Sequence, residues 1–309
     1  MTTLSDDNPD PGAPPPDDVA ISVRNLIKTF DGKPILRGVN LDVRRGEVMV
    51  ILGGSGSGKS TLLRHMIRSI IPDSGQIYMF GRNLCSLDER EMDDVRKKFG
   101  VLFQSGALFN SMTIAENVGL PLTEHTDLSP EIIEIQVKMK LELVGLREHA
   151  DKYPAQISGG MKKRAGLARA LALDPRVVFY DEPSAGLDPV TSAEIDRLML
   201  NLSKKVGITS VVVTHEMDSA FTIADRMAMI DQGRILVIEE RMWFEELRDL
   251  TDAEAETRTE TERLVRQFLR GDADGPITAR RAATSYAEDL LGEVHETTTP
   301  SVQSTRVSS

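Results

Sequence analysis

Nine consecutive residues of this chain, Gly53-Gly54-Ser55-Gly56-Ser57-Gly58-Lys59-Ser60-Thr61, have the types and spacing to hold a phosphate. They satisfy G-x-x-x-x-G-K-[ST], a loop whose glycines let successive backbone N–H groups turn inward onto phosphate oxygens. The apolar run Val48–Leu52 precedes the loop and a helical stretch follows it, so the helix N-terminus adds a field that favours an anion. Lys59 has the length to reach the β- and γ-phosphates of a nucleotide, and the Ser60 hydroxyl is placed to ligate Mg2+. A second segment, Val177-Val178-Phe179-Tyr180-Asp181-Glu182, is four apolar residues ending in two carboxylates. A strand ending this way sets Asp181 beside the Mg2+ shell and leaves Glu182 to polarise an attacking water. Many strands end in acids; the pair gains its meaning beside the phosphate loop. Together the two segments point to hydrolysis of a nucleoside triphosphate.

Such groups need strands that end at one edge of a sheet. Short strands are expected at Ile21–Val23, Leu41–Val43, Glu47–Leu52, Gln76–Met79, Val101–Phe103, Val177–Tyr180, Ser210–Thr214, Met227–Ile230 and Arg234–Ile238. Several are almost wholly apolar, as strands buried on both faces of a parallel sheet are. A helix is expected over about Ser60–Ser69. Between about 104 and 172 the pattern turns helical, with Ile133, Val137, Leu141 and Val144 at helical spacing and Gly145 to end that helix. Residues 1–18, rich in Asp and Pro, read as a disordered leader without the basic, apolar character of a signal peptide. No run approaches the length of a spanning helix. The single cysteine, Cys85, excludes an internal disulfide and reads as a structural residue. A formal charge of −11 and a pI near 5.1 disfavour broad binding to nucleic acid, and no such partner is expected.

Past about 245 the composition changes. Thr259 with Glu262 offers a capping box to a helix whose apolar stripe is Leu264, Val265, Phe268 and Leu269, stopped by Gly271 and by Gly275-Pro276. Ser285 with Glu288 suggests a second short helix, with Tyr286, Leu290 and Leu291 as its apolar side. Residues 297–309, eight of them Ser or Thr, read as disordered. The expected organisation is a leader (1–18), a nucleotide-binding domain (19–245), a C-terminal extension (246–296) and a tail (297–309).

Ile157-Ser158-Gly159-Gly160-Met161, some twenty residues before the acid-tipped strand, resembles the signature motif of ABC ATPases. In that family the segment caps the nucleotide bound to the opposite subunit; read without the resemblance, Ser158 is a helix cap. Other elements resemble the family in order. Gln104 matches the glutamine that senses Mg2+ and water, Pro183 through Asp188 match the D-loop with Asp188 crossing the dimer interface, and His215 matches the histidine that contacts the γ-phosphate. Phe30 stands where the family places an adenine-stacking aromatic, a place usually held by Tyr, and plain packing is the alternative. The resemblance implies ATP and Mg2+ as ligands. It also implies an α/β P-loop NTPase fold of ABC type, with a mixed core sheet, a helical subdomain at about 104–172 and a small antiparallel β part near the N-terminus. One motif set per chain implies a second copy, each ATP lying between one loop and the other copy's Ser158–Met161.

Finer features resemble the Mla/Mce-type lipid transporters. They are Met161 where most importers have Gln, the segment Leu102–Phe109, Glu124-His125-Thr126, Lys138–Glu142, and the tail Gln267–Pro276, in which Arg270 stands where the group commonly has Asp. By that resemblance the partners are a membrane permease and a membrane-anchored Mce-type lipid-binding protein; proteobacterial versions add a small STAS-domain subunit. The place of action is then the cytoplasmic face of the inner membrane, reached through the permease. The resemblance also implies that the tail from Ala273 to Leu291 docks on the neighbouring ATPase, with packing on its own subunit as the alternative. Two other readings stay open. One is an ATPase of an amino-acid-type importer, which is not expected to share the Ala-Asp-Gly-Pro tail. The other is a soluble ABC ATPase without a transporter.

Overall fold

In the computed structural model residues 15–277 are described. The chain opens with two long antiparallel strands, β1 (Val19–Phe30) and β2 (Lys33–Arg44), then β3 (Val48–Leu52) and helix α1 (Lys59–Met66). Next come β4 (Ser74–Met79), β5 (Arg82–Asn83), α2 (Glu89–Arg96) and β6 (Phe99–Leu102). A helical stretch follows, with α3 (Ile114–His125), α4 (Pro130–Leu143) and α5 (Gly159–Ala170). The chain then alternates through β7 (Val177–Asp181), α6 (Pro189–Val206), β8 (Thr209–Val213), α7 (Met217–Ile223), β9 (Arg226–Asp231) and β10 (Arg234–Glu240). Helix α8 (Arg241–Asp249) closes the first of two compact units, and the second begins at Leu250.

Two sheets form. One is antiparallel, ordered β2-β1-β4-β5; the other is ordered β10-β9-β3-β8-β7-β6, parallel apart from β10. β3 and β8 are buried along their whole length, which explains the unbroken apolar sequence of β3 and the valine run Val211–Val213 of β8. Ile21, Leu41, Met49, Ile51, Leu62 and Val211 belong to a single core that joins both sheets to α1. The helical stretch has its own core, built from Ile114, Val118, Leu141, Ala165 and Ala168 among others.

β1 and β2 extend well beyond the short strands their sequences suggest. Their register shifts at several places, between Val23 and Leu26 for instance, and each shift breaks the alternation by which a strand is read. Helix α1 is shorter than expected, because Arg68 turns left-handed (φ 51°) just beyond it. Capping boxes start α2 (Asp88, Glu91) and α3 (Thr113, Glu116), each tying two otherwise unpaired N–H groups.

In the second unit, α9 (Asp252–Glu256) precedes α10 (Glu260–Arg270), which starts at the Thr259–Glu262 capping box and ends at Gly271 (φ 70°). Leu264, Val265 and Leu269 are buried. Arg266 donates to the Leu250 carbonyl at 2.6 Å and to Asp252 at 2.8 Å, fixing α10 against the start of the unit. The second short helix expected near Ser285, most of the Ala273–Leu291 segment, the 297–309 tail and nearly all of the leader lie outside the described residues.

Candidate functional site: a phosphate loop facing two carboxylates

The sheet register brings the chemistry to one edge. Ile51 of β3 pairs with Val213 of β8, and Val213 pairs with Asp181 of β7, so three strands end level. On β6, Leu102 is level with Tyr180, which sends Gln104 out of the same edge two residues later. From this row the chain delivers the phosphate loop after Leu52, Asp181 and Glu182 after Tyr180, and Thr214 and His215 after Val213.

The loop is tightly built. A Cβ on Gly53 would lie 2.2 Å from the Ile230 carbonyl oxygen, so no larger residue fits there. Gly58 caps α1 in a left-handed conformation (φ 109°), and the helix's first N–H groups, which have no intrahelical acceptor, face out of the loop's end. Lys59 Nζ donates to the carbonyls of Gly53 (2.6 Å) and Gly54 (2.9 Å). Burial pushes its pKa down, while the nearby Glu182 and Asp181 carboxylates push it back up. Ser57 Oγ is buried with no hydrogen-bond partner among the described residues, a polar atom that a phosphate oxygen could satisfy. Ser55, Gly56 and Thr61 complete the loop and the first turn.

Ser60 Oγ donates to Asp181 Oδ1 at 3.2 Å. Burial raises the Asp181 pKa, the Ser60 bond opposes this, and the adjacent Glu182 charge adds to the rise. Glu182 is a non-glycine residue held at φ 50°, a strained conformation that persists only where its surroundings enforce it. Its carboxylate accepts from Thr214 Oγ1 (3.2 Å) and lies 2.8 Å from His215 Nδ1. Lys59, Ser60, Asp181, Glu182 and His215 are thus brought together. A carboxylate fixed by a hydroxyl and an imidazole, beside a loop built for phosphate, can orient water against a phosphoryl group.

The other sequence-predicted residues are placed by different contacts. Gln104 is exposed at the start of a loop that is stitched down at two points. Asn117 binds Phe109, Met112 and Thr113 carbonyls, and Arg169 of α5 donates to those of Gly106 and Ala107. Ser158 caps α5, accepting from Met161 N–H at 3.3 Å, and Gly159 and Gly160 form the first turn. Asp188 caps α6 through Val190 and Thr191 N–H and also accepts from Thr191 Oγ1 at 2.6 Å; these bonds hold its carboxyl below the usual pKa. Phe30 is 40 % exposed, with Lys28 Nζ 5.3 Å from its ring centre.

Two residues escaped the sequence reading. Thr214 binds Glu182; its only signal was a hydroxyl directly after the valine run Val211–Val213. Lys163 is 5 % exposed on α5 and donates to the Glu182 carbonyl (3.2 Å) and the Ala185 carbonyl (2.7 Å). In the sequence it is one cation in the run Lys162-Lys163-Arg164, which reads as a solvated face.

A family model described as "ABC transporter" matches residues 36–185. The chain is 38 % identical over 274 residues to the intermembrane phospholipid transport system ATP-binding protein MlaF of Haemophilus influenzae, covering 88 % of this chain and 98 % of that protein. It is 42 % identical over 259 residues to the probable ribonucleotide transport ATP-binding protein mkl of Mycobacterium leprae, covering 84 % and 71 %. Among solved structures, the dimeric post-hydrolysis state of the ATP-binding cassette MJ0796 bound to ADP and Pi superposes with a TM-score of 0.67 at 32 % identity, covering 72 % of this chain and 98 % of that one.

Proposed function

The chain belongs to the ABC transporter family as an ATP-binding, ATP-hydrolysing subunit, and from that premise we propose that it powers transport of lipid, phospholipid in particular. The observation that carries the reading is the match to MlaF along 98 % of that protein, which runs past the cassette into the C-terminal extension. The working unit is two copies of this chain on a membrane permease, with an Mce-type lipid-binding subunit and, as in proteobacterial relatives, a STAS-domain subunit. The dimeric state of the similar MJ0796 cassette supports the pairing. No helix among the described residues is long and apolar enough to cross a membrane, so the permease would hold the chain at the inner face of the inner membrane.

In this reading the phosphates of ATP lie along Gly53–Thr61 and the adenine against Phe30. The partner copy's Ser158–Met161 closes over the nucleotide, with Asp188 at the interface. Mg2+ would be held by only one or two hard oxygens of the chain. The Ser60 hydroxyl and Asp181, 3.2 Å apart, are the hard-oxygen pair that would hold it, with Gln104 proposed as a further oxygen donor. When bound, the ion would supply neutralisation of the phosphate charge. Glu182, fixed by Thr214 and His215, orients the attacking water and takes its proton. Lys59 leaves its loop carbonyls for the phosphates and, with His215, stabilises charge developing on the γ-phosphoryl group.

The test is purification from detergent-solubilised membranes, with co-purifying subunits and bound small molecules identified by mass spectrometry. Phospholipid with a permease and an Mce-type subunit supports the proposal. Recovery with a solute-binding protein, or with nucleotide cargo as the name of the mycobacterial relative would suggest, overturns the lipid assignment.

A further inference from the structure

Helix α5 carries two jobs on one rigid rod. Its N-terminal turn is Ser158–Met161, which the proposed function sets over the partner copy's ATP. One turn further along, Lys163 points away from that surface into the body of its own subunit. Its ammonium bonds both ends of a single turn of chain, the carbonyls of Glu182 and Ala185. The Ala185 N–H also donates to the Glu182 carbonyl, at 3.3 Å, so Lys163 clamps a closed turn across its mouth.

That turn holds the strained residue of the site. Glu182 is at φ 50°, its N–H is bonded to the Val213 carbonyl at 2.9 Å, and its carboxylate is bonded to Thr214 and His215. β8 thus fixes the residue on one side and Lys163 fixes its carbonyl on the other. A buried ammonium is costly unless it is well bonded. Burial does lower the Lys163 pKa, with the Glu216 and Glu182 charges opposing the shift. An apolar side chain would have filled this space without that cost, so packing alone does not explain a lysine here.

We propose that Lys163 is a positioning residue for hydrolysis: it holds the Glu182 backbone in its strained conformation and ties it to the helix that reads the partner copy's nucleotide. Formation of the sandwich at one site then bears directly, through α5, on the aim of the carboxylate at the other. The inference rests on the reading of Glu182 as the group that orients water.

The experiment compares Lys163→Met, Lys163→Arg and Glu182→Gln, alone and in the Lys163→Met/Glu182→Gln pair, in the full-length dimeric protein. Single-turnover ATP hydrolysis, KM and equilibrium binding of a fluorescent ATP analogue are measured for each. A displacement of about 1 Å at a reacting group can cost about 10²-fold in rate. Lys163→Met is therefore expected to lower the hydrolysis rate roughly 10- to 100-fold with KM and nucleotide affinity within about threefold of wild type. Lys163→Arg, which keeps a buried cationic donor, should recover most of the rate. In the double variant the methionine should cost little beyond Glu182→Gln alone, because there is no longer a base to aim. If Lys163→Met does not fold, Lys163→Gln, whose amide reaches one carbonyl, replaces it, with an intermediate rate and unchanged KM expected. A wild-type rate in the Met or Gln variant overturns the inference while leaving Glu182 its role. So does a full multiplicative loss in the double variant. Near-normal hydrolysis by Glu182→Gln overturns the reading of Glu182 and the inference together.

Discussion

Lys59 and Glu182 share one polar cluster yet are held by opposite devices, and that difference separates what their loss should do. Lys59 rests on two carbonyls of its own loop, a cation stored where the phosphates would sit. Lys59→Ala removes the only long cation of the loop, so nucleotide affinity itself should fall, as equilibrium binding of a fluorescent ATP analogue would show. Glu182 is fixed from outside the loop, by Thr214 and His215. Glu182→Gln keeps the size of the side chain and an oxygen to accept from Thr214, but loses the base. Phosphate release should drop about 10²–10⁴-fold while ATP binding stays near normal. Equal damage to binding in both variants would contradict the division of labour drawn from these contacts.

At the scale of elements, the sequence announced those parts whose chemistry needs a fixed residue order. Gly53–Thr61 and Val177–Glu182 are legible because strand, turn and charged tip follow one another along the chain. The capping box formed by Thr259 and Glu262 is legible for the same reason. Lys163 and Thr214 were not, because their partners are distant in sequence and neither belongs to a pattern of its own. The full lengths of β1 and β2 were hidden by register shifts, and α8 gave no cap or breaker to mark its start. The packing of α5 on the start of α6 is likewise invisible in sequence, and it makes a prediction. A Cβ on Gly160 would lie 2.4 Å from Thr191 Cγ2, and Thr191 cannot simply rotate, since its hydroxyl is bonded to Asp188 at 2.6 Å. Replacing a helical glycine by alanine gains at most about 0.5–1 kcal/mol, whereas overpacking costs about 1–3 kcal/mol. The clash should win, and Gly160→Ala should lower stability in urea unfolding of the nucleotide-free protein. Adding Thr191→Ser removes the offending methyl while keeping the hydroxyl, and should restore what was lost. If the double variant is no more stable than Gly160→Ala, the contact between the two helices is not the cause.

For the whole molecule the question is whether one chain can make a complete site. Phosphate loop, carboxylates and histidine are assembled by the parallel sheet of a single copy, whereas Ser158–Met161 cap a separate helix, α5, and are bonded within it. If each ATP is enclosed by the loop of one copy and the α5 N-terminus of the other, damage to the two parts should be separable. Consider a mixed dimer with Ser158→Arg on one copy and Lys59→Ala on the other. The copy bearing Ser158→Arg keeps an intact loop, and its partner keeps an intact Ser158–Met161, so these two face each other in one undamaged site. Both lesions fall together on the second site. Such a dimer should retain stable enclosure of about one ATP analogue per pair, while dimers with both changes in every copy should retain none. Were the site formed within a single chain, each copy of the mixed dimer would carry one lesion and neither could enclose nucleotide. Tagging the two copies differently, isolating the mixed pair and counting trapped nucleotide by filter binding distinguishes these arrangements. A count near zero in the mixed dimer would refute the shared site.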